Sequence, residues 1–219
     1  MKVIVTGASG GAGPGVVESL REKGWEVLPA TRREADFRDL TAVERWLATL
    51  EGDAEAPFAL VHLVGGFAPG SLEKTSPQLW ESMLEVNLKT AFVATRALLP
   101  HFLQAKKGRI ILVAAQSALR PRGGAIAYQT AKAALWSFAQ HLAEEVRGKG
   151  VTVNVLAPAV IDTPANRQAM EPSPRWIQPR QMAEVIHWLL SPEAAVVHGA
   201  LIPLEGPKAP KEYPAPALG

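Results

Sequence analysis

KVIVTGASGGAGPGVVESLREKG, residues 2 to 24, is the stretch that decides the fold. Lys2 to Thr6 form a short, mostly β-branched run of the kind that makes a buried strand. A glycine-rich stretch follows, and a helical pattern then resumes, with Pro14 acceptable in a first turn and Gly24 as a stop. Strand, glycine loop and helix in direct succession place backbone N–H groups and a helix N-terminus at a strand end, where a pyrophosphate can be held. The spacing is T-G-x-x-x-G-x-G, on Thr6, Gly7, Gly11 and Gly13, with Ser9 inside the loop. Glycine matters here because a Cβ would block the turn or the approach of the diphosphate.

Outward from this unit, short β-branched runs alternate with longer helical patterns. EVLPAT predicts a second strand, and TAVERWLATL a helix that Thr41 could cap. FALVHLV predicts a strand, followed by a helical pattern from Pro77 to Gln104 with a break near Pro100. GRIILVAA reads as a strand, Tyr128 to Arg147 as a helix and VTVNVLAP as a strand. A helix over Gln181 to Leu190 and a last strand, GALIPLEG, complete the series. Such alternation marks a parallel sheet with crossover helices. The expectation is one doubly wound α/β (Rossmann) domain over residues 1–205, helices on both faces, and a Pro-rich extended tail over 206–219.

The chain has 219 residues, enough for one such domain, with 47% hydrophobic and 20% charged residues. A formal net charge of +2 with basic residues spread along the chain predicts no nucleic-acid partner. The densest basic run, Lys106, Lys107 and Arg109, reads as a solvated helix end. With no cysteine, disulfides and thiolate chemistry are excluded, and the five histidines show no metal spacing, so no metal is expected. No apolar run approaches the roughly 18 residues of a membrane span, and the N-terminus enters a strand without a signal peptide's sections. A cytoplasmic protein without membrane contact is the expectation.

At the second strand's tip stand Thr31, Arg32 and Arg33 with no acid; the alternative to a binding role is that both arginines are solvated loop residues, partly neutralised by Glu34. A carboxylate there would accept from a ribose 2′-hydroxyl, whereas arginine binds a 2′-phosphate bidentately. NADP is therefore favoured, with NAD as the alternative. Further along, Tyr128 and Lys132 are four apart and share a helix face. A tyrosine near pKa 10 is a poor acid–base catalyst at neutral pH; a nearby ammonium would favour the phenolate and lower that value.

Together these motifs resemble the short-chain dehydrogenase/reductase family over nearly the whole chain. The matching features are the Thr6 to Gly13 loop, Asp36 in DFRD, Asn87 in EVNLKTAF, Tyr128 with Lys132, VNVLAPAVIDTP from Val153, and GALIPLEG. The resemblance implies that Tyr128 exchanges the proton, Lys132 also contacts the nicotinamide ribose, Asn87 supports a water relay, and Asp36 contacts adenine. It extends the cofactor-binding set to Phe37, Gly65 and Pro158, and to Ile161 and Thr163 beside the nicotinamide. It also implies a homodimer or homotetramer built on the helices around Asn87 and after Tyr128.

The chain departs from the family's pattern where it matters chemically. Ala115 stands thirteen residues before Tyr128, in place of the usual serine, and His62, Leu63, Val64 and Gly65 replace an N-N-A-G motif. Pro158-Ala159 replaces Pro-Gly, and the connection between strands two and three is trimmed, so a helix at that edge is short or missing. The alanine, HLVGGFAPG and DTPANRQAM look like the dihydropteridine-reductase branch. That resemblance implies hydride transfer to a small electron-poor C=O or C=N substrate, a quinonoid dihydropteridine being the specific candidate. The alternatives are a general carbonyl reductase or alcohol dehydrogenase of the same family and a non-catalytic NAD(P)-binding sensor. Ser117, about 6–7 Å along an extended strand from Ala115, replaces the hydroxyl only if the loop folds back; otherwise it satisfies a backbone group. Phe67, Met170 and Trp176 fall in loops beyond the strand ends, where either a planar substrate stacks on Phe67 or Trp176 or these side chains only close the pocket lid. His62 is read as a packing residue near the adenosine.

Overall fold

The computed structural model describes residues 1–50 and 57–206; thirteen residues of the expected tail, 207–219, lie outside them. Six strands run β1 (Lys2–Thr6), β2 (Glu26–Ala30), β3 (Pro57–His62), β4 (Gly108–Val113), β5 (Val151–Pro158) and β6 (Leu201–Leu204). All pairings are parallel, in the order β2-β1-β3-β4-β5-β6. Every residue of β1, β4 and β5 is buried, as strands covered on both faces require. The two edge strands are partly exposed and each carries a proline, Pro29 and Pro203, whose missing N–H is tolerated at an edge.

The α-helices among the described residues are α1 (Gly13–Glu22), α2 (Leu40–Ala48), α3 (Pro77–Leu84), α4 (Thr90–Ala105), α5 (Ile126–Val146), α6 (Pro164–Ala169) and α7 (Pro179–Leu190). Alternate strand residues feed opposite faces. Ile4, Ile110 and Leu112 join a core with Val43 of α2, Leu98 of α4 and Leu135 of α5. Val3, Val5 and Ile111 join one with Leu20 of α1 and Ile186 of α7. The sheet is therefore doubly wound, and its winding reverses between β1 and β3, where a crevice opens at the carboxyl ends of the strands. Only β2 lies outboard of β1, which is where the trimmed connection shows.

Several local expectations are corrected. Asp39, not Thr41, caps α2: its carboxylate accepts from the Thr41 N–H at 2.9 Å. The connection keeps α2 as a nine-residue helix. The long helix does not break at Pro100, which lies inside α4; the buried Ala97, Leu98 and Phe102 hold that turn despite the missing N–H. The irregularity falls earlier, at Glu85–Lys89, where the helix widens to a π-turn. Arg109 is no part of a solvated helix end: it is 7% exposed on β4, its guanidinium carbon 5.5 Å from the centre of the Phe58 ring. No helix of the described residues is long and apolar enough to cross a membrane.

Candidate active site

The glycine loop is shaped by contacts that exclude side chains. Gly7 has φ +68°, and a Cβ there would lie 2.8 Å from the Val64 nitrogen, so the loop presses against the chain leaving β3. At Gly13, the first residue of α1, a Cβ would sit 2.4 Å from the Gly7 and Ala8 carbonyl oxygens. The α1 N-terminus has no side-chain cap and no acid in its first turn, which leaves its N–H groups for an anion. That cradle fits a dinucleotide's pyrophosphate.

Thr6 contributes differently from a ligand contact. Its hydroxyl lies 2.8 Å from His62 Nδ1, while His62 Nε2 is 3.2 Å from Thr90 Oγ1. The Thr90 hydroxyl donates to the Val86 carbonyl at 2.8 Å, so its oxygen is left to accept. His62 must then donate from Nε2 and accept the Thr6 proton at Nδ1. Burial, then the charge of Lys132, pushes its pKa down to about 3, so this neutral tautomer persists at working pH. His62 thus ties β1, β3 and the start of α4 together, as the packing reading expected.

The crevice beside the loop has a volume of about 750 Å³. Of the expected cofactor residues it is lined by Gly7, Ser9, Thr31, Arg32, Arg33, Asp36, Phe37 and Gly65. Phe37 is buried edge-on against Trp46, 6.0 Å between centroids. The Asp36 carboxylate is already engaged, accepting from Arg38 Nε at 2.9 Å and Nη2 at 2.6 Å, which holds it at about 2. Glu34 overturns the expectation that no acid reaches the strand tip. Its Oε2 accepts from the Thr31 N–H at 2.7 Å and the Thr31 hydroxyl at 2.6 Å. No ion pair among the described residues involves Arg32 or Arg33.

Beyond Gly65 the catalytic candidates converge. A Cβ on Gly65 would fall 3.0 Å from Asn87 Oδ1 and 3.1 Å from Lys132 Nζ, so both side chains face this one backbone position. Asn87, fully buried in the π-turn, donates to the Gly66 carbonyl at 2.9 Å and accepts from the Gly66 N–H at 3.1 Å. It clamps the loop after β3 at both backbone groups. Lys132, one turn past Tyr128 on α5, is 5% exposed and donates to the Val113 carbonyl at 2.8 Å. Burial pushes its ammonium down to about 8. Phe67 packs edge-to-face on Tyr128, 5.1 Å between centroids.

The expected acidification of Tyr128 is not found. Burial alone shifts the phenol, and upward, because the Lys132 ammonium reaches the end of β4 rather than the phenol. A phenol so raised is fully protonated at neutral pH, the form a proton donor needs.

On the substrate side, Ala115 is buried and extended at the start of a 3₁₀ turn, Gln116–Ala118, that folds the chain back. The Ser117 hydroxyl inside that turn is buried and has no hydrogen-bond partner among the described residues, so it does not satisfy a backbone group as expected. Trp176 does not offer a stacking face, because it is only 7% exposed. Met170 is 44% exposed at the end of α6. That helix escaped the sequence reading, although Thr163 and Pro164 are ordinary start signals. Thr163 caps it by accepting from the Asn166 N–H at 3.2 Å, and a Cβ on Gly11 would lie 3.0 Å from the Thr163 Cβ. Ile161 bridges Ile177, and Pro158 pairs with Leu204, rooting the segment beside the glycine loop.

Comparison with known proteins agrees with this geometry. The family model for short chain dehydrogenases matches residues 29–173. The chain is 27% identical to the 3-oxoacyl-(acyl-carrier-protein) reductase FabG of Vibrio cholerae, covering 93% of this chain and 95% of that one. It is 28% identical to the reductase MabA of Mycobacterium bovis, covering 93% and 91%. A 3-ketoacyl-(acyl-carrier-protein) reductase from Brucella melitensis, solved as a complex with NADH, superposes with a TM-score of 0.83 at 24% identity, over 93% and 96% of the two chains; that likeness speaks for the fold. On the matched model and the Tyr128–Lys132 pair beside a dinucleotide crevice, the chain belongs to the short-chain dehydrogenase/reductase family, as an NAD(P)-dependent oxidoreductase.

Proposed function

We propose that the chain is an NADPH-preferring reductase of small, electron-poor C=O or C=N substrates, with quinonoid dihydropteridine as the leading candidate. The carrying observation is Ala115, buried where a hydroxyl donor to the substrate would otherwise stand, beside a retained Tyr128, Lys132 and Asn87. When bound, the nicotinamide supplies a hydride. The chain's own residues do the rest. Tyr128 gives its proton to the substrate atom that gains charge. Lys132, whose amine the Val113 carbonyl holds away from the phenol, holds the ribose hydroxyls. Asn87 fixes Gly65 and Gly66 so that Lys132 is confined. Reducing a plain ketone builds charge on one oxygen, and a missing donor there costs roughly two to three orders of magnitude in rate. A conjugated acceptor spreads that charge through its ring and loses less.

NADPH oxidation should therefore be at least about a hundredfold faster with quinonoid dihydropterin or quinones than with unactivated ketones. Ala115→Ser should raise ketone reduction selectively. Equal rates for 3-oxoacyl thioesters, simple ketones and quinonoid acceptors would contradict the reading. One observation favours a second reading, that of a general carbonyl reductase: the unpartnered Ser117 hydroxyl in the folded-back turn. In that case Ser117→Ala cripples ketone reduction and spares pterin reduction.

The preference for NADPH is supported by Arg32 and Arg33, which line the crevice outside any ion pair of the described residues. A homodimer or homotetramer through α4 and α5 is supported by Phe92, 47% exposed and edge-on to Phe138 at 6.2 Å. Light scattering should give two or four times the chain mass, and Phe92→Glu should dissociate the assembly. A monomeric parent chain would contradict it.

A further inference from the structure

The segment that leaves β5 is tied down at three levels before α7 begins. At its root, the Ile177 N–H donates to the Val160 carbonyl and the Asp162 N–H to the Ile177 carbonyl, both at 2.8 Å. Above the root, the Asn166 side-chain amide donates to the Ile161 carbonyl at 2.8 Å, which stands α6 on that bridge. Asp162 makes the third tie. Its side chain is 9% exposed and takes the Arg167 guanidinium as a fork, Nε on Oδ1 and Nη2 on Oδ2. Gln178 Nε2 also donates to Oδ2, this bond and the Nη2 bond both measuring 2.7 Å. One carboxylate therefore joins the last turn of α6 to the cap of α7. The Arg167 and Gln178 donors hold its pKa at about 2, so the charge persists at working pH.

We propose that Asp162 is a positioning residue for the acceptor substrate. It sets residues 163–176 as a preformed wall beside the nicotinamide end of the crevice, an inference that rests on the substrate side as read above. Thr163, next in sequence, stands against the glycine loop: a Cβ on Gly11 would lie 3.0 Å from the Thr163 Cβ. Fixing α6 through Asp162 therefore also fixes how closely the wall approaches that loop. Every bond of the clamp is made between residues of the chain itself. The ordering entropy of the wall is then lost on folding, and little is left to lose when an acceptor binds. An ion pair as exposed as Arg167, at 60%, contributes little to global stability. What the fork contributes is direction, because a guanidinium meets a carboxylate in one planar geometry.

Trypsin digestion read by mass spectrometry, together with acceptor kinetics, tests this on the intact chain. Arg167 and Arg175 both lie in the wall, and cleavage after either needs local opening of the backbone. In Asp162→Ala, these two cleavages should be about tenfold faster than in the parent, with cleavage after the exposed Arg33 unchanged as the internal reference. The KM for a quinonoid acceptor should rise about tenfold, because the acceptor must now order the wall itself. At saturation the wall is closed by the bound acceptor, so kcat and the NADPH dissociation constant should stay within about twofold. Asp162→Asn keeps an oxygen for Gln178 and loses the ion pair, and it should fall between parent and Asp162→Ala on both readouts. Cleavage at parental rates in Asp162→Ala, or a KM that does not move, would overturn the proposal. So would a joint loss of kcat and NADPH affinity, which marks general damage rather than positioning. If the parent chain reduces no quinonoid or carbonyl acceptor, the reading of the substrate side fails. Faster cleavage in Asp162→Ala would still support the hold of Asp162 on the wall, and parental cleavage would still overturn it.

Discussion

Tyr128→Phe should lower kcat by about three orders of magnitude while leaving the NADPH dissociation constant within about twofold. The substitution removes one oxygen and keeps the ring, so the edge-to-face packing on Phe67 survives. The phenol's raised pKa makes it a reservoir of a proton at neutral pH, and phenylalanine has none to give. Steady-state turnover with a quinonoid acceptor and a fluorescence titration of NADPH check the two halves. Undiminished turnover would mean that water or another group donates the proton. Tight NADPH binding with no turnover in the parent chain either would favour the non-catalytic sensor.

Lys132→Met should do two opposite things: cut kcat by about two to three orders of magnitude and stabilise the fold. The ammonium is buried, with a carbonyl rather than a carboxylate as its hydrogen-bond partner. Its pKa is held at about 8, against 10.5 for a free lysine. Between those values the unfolded chain binds the proton more tightly than the folded one. The cost of burying the charge is therefore fully present below about pH 8, and it disappears as pH rises toward 10.5. A methionine of similar shape removes that cost, which should raise the unfolding free energy at pH 7 by about 1–3 kcal/mol. The gain should shrink toward zero above pH 10. Chemical denaturation at several pH values measures it. A variant less stable than the parent at pH 7, with turnover intact, would assign Lys132 a purely structural role.

A stabilising substitution at a catalytic position is what a strained site predicts. The Val113 carbonyl at the end of β4 holds an ammonium that no acid among the described residues pairs with, and the ribose hydroxyls are the partners it lacks. The same economy runs through the crevice. His62 spends both ring nitrogens on Thr6 and Thr90, Asp36 is bound by Arg38, and Asn87 is bound by Gly66. Among the described residues, the α1 N-terminus, Arg32, Arg33, Ser117 and Tyr128 remain for a ligand, and Lys132 keeps donors beyond the one it gives to Val113.

The sheet, the glycine loop and the Tyr128–Lys132 pair were legible because each is written in local spacing: apolar runs of strand length, glycines between strand and helix, and two residues one turn apart. What stayed hidden depended on where side chains point. Trp176 sits in a polar, Pro-rich segment whose composition says loop, yet its indole is turned inward. Sequence adjacency pairs Glu34 with its arginine neighbours, and only the turn after β2 brings it onto Thr31. The same holds for Lys132: helix spacing placed it beside Tyr128 but could not show its amine reaching Val113 on another element. The π-turn at Glu85–Lys89 has no spacing signature either, although Asn87 within it was found through its motif. Pro100 misled because the buried face of α4 outweighs one lost hydrogen bond.

A crystal structure of the chain with NADP⁺ shows whether Tyr128 and Lys132 face a bound nicotinamide. The expected result is the pyrophosphate on the α1 N-terminus, the Lys132 amine on the nicotinamide ribose and the Tyr128 hydroxyl within hydrogen-bond reach of a substrate atom above the nicotinamide. A dinucleotide bound elsewhere, or a nicotinamide out of reach of Tyr128 with Lys132 still held by Val113 alone, would contradict it.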